Sequence, residues 1–203
     1  MTAHRGLLDG LDITGLNTAL SEATCLGVDV DAAAGTLRLE LDVLTLPVDG
    51  PPPDDCDVYL TLTGVSRVAA SFRMQRWDDL EPVILPLAVD GLHDAVSSFG
   101  GGALHGWEFF DLDDNAWTQW RKLLSFDTEL SDRQAAHMLE FSQEEGIDPR
   151  ELDVRVWFEG VTVQDKQGNA IPVDEFIAGG VRWWQAHDAN DPRTQKPNIV
   201  PPL

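Results

Sequence analysis

"TLRLELDVL", residues 36–44, decides the fold class. Leu37, Leu39, Leu41 and Val43 fall on one side of an extended chain, with Arg38, Glu40 and Asp42 on the other. Successive side chains of a strand point to opposite faces, so this period of two describes a strand with one buried and one wetted face. "AAAG" at 32–35 then turns the chain back from a preceding strand, "LGVDVD" at 26–31.

The same period recurs outward from this segment. After the proline-rich break "PVDGPPPDD" at 47–55, "DVYLTLTG" at 57–64 alternates through Val58, Leu60 and Leu62. "RVAASFRMQ" at 67–75 places Val68, Ala70, Phe72 and Met74 on a common face, and "VILPL" follows at 83–87. "HMLEF" at 137–141 and a long strand "ELDVRVWFEGVTV" at 151–163 complete the series, the latter alternating through Leu152, Val154, Val156 and Phe158. Helices are few. "DITGLNTALSEA" at 12–23 has Ile13, Leu16 and Leu20 at helical spacing with Thr14 as a cap, and "DGLHDAVSSFGGG" at 90–102 reads as a short helix ending at its glycines. "IPVDEFIAGGVRWWQAHD" at 171–188 is the strongest helix, with Asp174 and Glu175 complementing its positive end and Gly179 and Gly180 expected to interrupt it.

Strands joined by short turns favour antiparallel pairing. The expectation is therefore an α+β, mostly antiparallel domain: a large sheet or β-sandwich of about eight to ten strands, with a C-terminal helix and one or two short helices. Residues 1–190 read as a single globular β-rich domain and 191–203 as an extended C-terminal tail. At 203 residues the chain is long enough to bury a full core without staples.

Charge narrows the classes of function. Fourteen Lys and Arg against 35 Asp and Glu leave a net charge of −21. Such a surface repels phosphate backbones and anionic lipid, which excludes nucleic acid and membrane as expected partners. It attracts basic proteins and divalent cations and is compatible with a homo-oligomer. An aspartate-rich, lysine-poor composition also arises in a GC-rich genome or a salty cytoplasm without any partner. The first residues, "MTAHRGLLDGLDITG", carry no apolar run, so no secretory signal is expected and a cytoplasmic location is. Cys25 and Cys56 form no CxxC and have no neighbouring histidine, so they read as small apolar residues, with a disulfide between strand starts as the alternative.

"DLDDNAWTQWRK" at 111–122 opens like an EF-hand, with Asp111, Asp113 and Asn115 at positions one, three and five. That loop needs Gly at six and a bidentate Glu at twelve, where this chain has Ala116 and Lys122. A looser cation site on Asp111, Asp113 and Asp114 is what remains, and no other cofactor is expected. The same stretch reads as the acidic turn of a hairpin between "HGWEFFD" and "AWTQWRKLLSF". Its aromatic residues Trp107, Trp117 and Trp120, with His105, are the candidate ligand-binding residues, because exposed rings combine apolar area with a polar handle. Core packing is the alternative for all three rings.

The five histidines form no HExxH or HxH pair, Ser66 lacks the second glycine of a nucleophile elbow, and "FGGGALHG" matches no phosphate-binding loop. The favoured function is a non-enzymatic binding or interaction protein, of the inhibitor or immunity type, for a basic partner. One alternative is a hydrolase-type enzyme whose dispersed His105, His137 and carboxylates converge in the fold. Another is a β-sandwich ligand-binding module using the tryptophan-rich hairpin.

Overall fold

The computed structural model describes residues 12–101, 105–110, 120–133, 135–145 and 150–195, with Ile13 and 105–110 described by their backbone path. Its strands form two antiparallel sheets facing each other over one core. The first sheet holds five strands in the order β1-β2-β3-β10-β11: β1 (Thr24–Asp31), β2 (Thr36–Asp42), β3 (Asp57–Thr63), β10 (Gly160–Asp165) and β11 (Ala170–Ile171). The second, of six strands, runs β5 (Val83–Ile84), β4 (Arg67–Met74), β9 (Arg150–Phe158), β8 (His137–Glu144) and β6 (His105–Phe110). Its sixth strand, β7 (Phe126–Glu129), also pairs with β4. The α+β, mostly antiparallel architecture is as the alternation requires.

The opening stretch shows why. Leu37, Leu39 and Leu41 are completely buried, and so are Leu60 and Leu62 of β3, which pair with Leu39 and Leu37 across the ladder. Val68 and Ala70 of β4 and Leu152, Val154 and Val156 of β9 meet them from the other sheet. Each fully buried aliphatic side chain contributes about 1.5–3 kcal/mol of transfer free energy, so this double layer dominates stability.

Among the described residues three α-helices pack on the sandwich: α1 (Ile13–Leu20), α2 (Leu92–Ser97) and α3 (Val173–Asp188). The cap of α1 is Asp12, whose carboxylate accepts from the Gly15 N–H at 2.9 Å, and not Thr14, which lies inside the helix. No helix of the described residues is long and apolar enough to cross a membrane.

Three local expectations are corrected. The run 151–163 is two strands, not one: at Glu159 and Gly160 the chain leaves β9 in one sheet and enters β10 in the other. The Glu159 N–H donates to the Thr63 carbonyl at 2.9 Å, fixing that crossing. Helix α3 is continuous through Gly179 and Gly180. A Cβ on Gly180 would meet the Ala19 Cα at 2.5 Å, and one on Gly179 the Thr45 Oγ1 at 2.4 Å, so both glycines permit close packing and do not break the helix. Finally, β6 pairs with β8, and the described part of the segment after the acidic turn, 120–126, does not pair with it. Within that segment, Arg121–Leu123 form a 3-10 turn and β7 joins β4, on the far side of the sheet from β6.

Candidate functional site

The expected site is only partly within the described residues. Asp111, Asp113, Asp114 and Trp117 lie outside them, and of Trp107 and His105 only the backbone is described. Backbone pairing sets His105 opposite Ser142, whereas His137 pairs with Phe158 at the other end of β8, so the fold separates these two histidines. Among the described residues no three His, Cys, Asp or Glu side chains are placed to hold a metal ion.

Trp120 is half-buried, with the Arg155 guanidinium 4.4 Å from its ring centroid. This contact belongs to a charged network on the outer face of the six-stranded sheet. Arg155, only 3% exposed, also pairs with Glu140. In the next row Arg73 pairs with Asp153 and Glu151, and its Nη1 donates to the Ser71 hydroxyl at 2.9 Å. Arg67 donates to Asp127 at 2.6 Å and lies 4.6 Å over the Trp157 ring. Burial outweighs the neighbouring Arg73 cation and pushes the Glu151 carboxyl above its usual range. These charges satisfy one another, and so the face reads as a neutralised structural layer.

The opposite situation holds at one end of the sandwich. Three residues, 64–66, join β3 to β4, and there the Val65 N–H donates to the Gly35 carbonyl and the Ser66 N–H to the Trp157 carbonyl. The β1–β2 turn, the β3–β4 turn and the end of β9 therefore share one end. Asp42 pairs with Asp57, Val58 with Asp165, and Met74 with both Val83 and Arg150. The loops 43–56 and 75–82, the β8–β9 hairpin and the turn 166–169 consequently share the other end.

This second end is strongly acidic. Asp49, Asp54, Asp55, Asp78, Asp79, Glu81 and Glu144 are all exposed there. Three nearby cations are already committed, Arg150 to Glu145, Lys166 to Asp57 and Arg193 to Asp191, while Arg76 in the loop 75–82 is exposed. Arg150 holds the Glu145 carboxyl below its ordinary range, and Arg193 does the same for Asp191. A cavity of about 370 Å³ opens beneath the proline-rich loop, lined in part by Asp42, Asp54, Asp55, Trp183 and Arg193. The loop is anchored on both flanks. Arg182 Nε donates to the Leu46 carbonyl at 3.0 Å, and Arg193 Nη1 to the Gly50 carbonyl at 3.0 Å. The second anchor comes from a 3-10 turn, Pro192–Thr194, which packs Thr194 to 2% exposure.

Both cysteines are free thiols. Cys25 is in the core, where burial pushes its thiol up to about 12 and makes it inert, and Cys56 borders the acidic cavity.

The loop 75–82 carries what the sequence reading missed. Trp77 is 97% exposed and Leu80 98%, the two most exposed large apolar side chains of the described residues. The backbone beneath them is held in place. The Asp79 carboxylate accepts from the Arg76 N–H at 2.8 Å, the Asp79 N–H donates to the Arg76 carbonyl at 3.0 Å, and Gln75 Nε2 donates to the Asp79 carbonyl at 3.3 Å. The available signal was a tryptophan inside "QRWDDLEP", between two strands and among carboxylates, where no apolar periodicity calls for it. Comparison with protein-family models, with curated proteins and with solved structures finds no match to this chain.

Proposed function

We propose that the chain is a non-enzymatic binding protein of the inhibitor or immunity type, which takes a basic protein at the acidic end of its sandwich. The supporting observation is the gathering of exposed Asp and Glu from separate loops at one end, where Arg150, Lys166 and Arg193 are already paired. A predominantly negative surface of this kind, in which Arg76 is outnumbered by the carboxylates, raises encounter rates with an oppositely charged partner by about 10- to 1000-fold and repels nucleic acid. The outer face of the six-stranded sheet offers no comparable field, because its arginines and carboxylates are mutually satisfied.

The test is affinity capture from cells that express the chain, with wild type beside an Asp54→Asn, Asp55→Asn, Asp78→Asn, Glu81→Gln variant. All four residues are exposed, so the variant is expected to keep its circular dichroism and melting temperature. The expected result is a basic protein retained at low salt, weakened at moderate salt and weakened by the neutralised variant. Equal retention by the two baits, or retention of no basic protein, contradicts the reading.

A further inference from the structure

We propose that Trp77 and Leu80 are the apolar anchors of this interaction, inserting into an apolar pocket of the basic partner that is ringed by Lys or Arg. The inference deepens the acidic-end reading and rests on it. Both side chains stand almost wholly in water, at a cost in hydration that a loop of Ser or Asn would not carry. They do not droop onto the sheet, because three hydrogen bonds among Gln75, Arg76 and Asp79 hold the turn that presents them. Fixing a loop in advance removes much of the ordering cost of association, which is the property expected of an insertion loop. Tryptophan is also among the residues most often found as the energetic centre of protein interfaces.

The chemistry around the anchors selects the occupant. In the sequence Asp78, Asp79 and Glu81 flank Trp77 and Leu80 and outnumber the one exposed cation of this loop, Arg76, and Val83, half exposed, follows at the start of β5. A pocket that accepts Trp77 must bring its own rim against these carboxylates, so a rim of Lys or Arg is favoured and an acidic rim is rejected. A second copy of this chain would bring acidic end against acidic end at a net charge of −21 each, and an anionic bilayer would be repelled in the same way.

The experiment uses the full chain and the basic protein recovered by capture, purified. Wild type, the Trp77→Ser/Leu80→Ser double variant, the four-site neutralised variant and Asp79→Ala are compared by surface-binding kinetics and sedimentation. The double variant is expected to speed dissociation by about 100-fold or more with association changed less than about threefold, because anchors act after encounter. The neutralised variant is expected to slow association instead. Asp79→Ala, which removes the one side-chain carboxylate hydrogen bond of the turn but keeps both anchors, is expected to weaken binding by up to about tenfold. Unchanged dissociation in the double variant overturns the anchor assignment and leaves the acidic-end reading standing. Recovery of no basic partner overturns both. A wild-type dimer that the double variant dissolves also overturns the assignment, by making a second copy the occupant.

Discussion

Gly180 and Gln143 show how single residues are fixed by what they touch. Helix propensity alone favours alanine at Gly180 by about 1 kcal/mol. The contact with Ala19 reverses that preference, because an added Cβ would sit 2.5 Å from the Ala19 Cα and must push α1 away from α3. Gly180→Ala is therefore expected to lower the free energy of unfolding by about 1–3 kcal/mol in urea titration. Gln143 is 1% exposed and turned into the core, with neither amide atom hydrogen-bonded. A buried amide without a partner costs about 1–3 kcal/mol, so Gln143→Leu is expected to raise stability by about 1 kcal/mol. A loss of stability in the same titration would mean that the amide has a partner in solution.

At the scale of elements, ion pairs tie separate segments together. Arg150 binds Glu145 across the β8–β9 hairpin and also reaches Ser98, donating through Nη1 to its hydroxyl and through Nη2 to its carbonyl, both at 3.2 Å. It thereby clamps the end of α2 to the hairpin. Because Arg150 lowers the folded-state value of Glu145, the clamp's stabilisation is present above the unfolded carboxyl range, near pH 4.3, and is lost as pH falls through the lowered value. Glu151 acts in the opposite sense, since burial raises its value and protonation relieves the cost of burying its charge. Glu145→Gln is accordingly expected to melt below wild type at pH 7, with the difference shrinking below about pH 4 as wild type loses the same charge. A difference that is constant from pH 7 to pH 3 would contradict the clamp.

Elements were legible from the sequence wherever one face is buried. The alternation of 36–44, 57–64 and 67–75 reports a solvent boundary directly, and these strands stand where it puts them. The long run 151–163 was misread because both of its halves are apolar and alternate, so nothing in the period marks a change of sheet at Glu159. The glycines of α3 were misread because a conformational cost and a packing requirement look alike until Ala19 and Thr45 are in view. Trp77 was passed over because composition treats a tryptophan as core, and only its surroundings in three dimensions show it standing in water.

At the scale of the whole molecule, a charge of −21 opposes compaction and governs encounter. Dissolved ions screen exposed charges from one another beyond about 8–10 Å at physiological salt. The melting temperature at pH 7 is therefore expected to rise as sodium chloride increases from about 0.02 M to about 0.5 M. A fall over that range would mean that favourable ion pairs outweigh the repulsion. The same field, concentrated by the loops 43–56 and 75–82 at one end of the sandwich, is the basis of the binding reading. Its most direct test is the association rate constant with the captured basic protein, measured against ionic strength for wild type and the four-site neutralised variant. The account predicts a steep fall with salt for wild type, by about tenfold or more between 0.02 M and 0.3 M, and a markedly shallower slope for the variant. Identical slopes for the two proteins would contradict it.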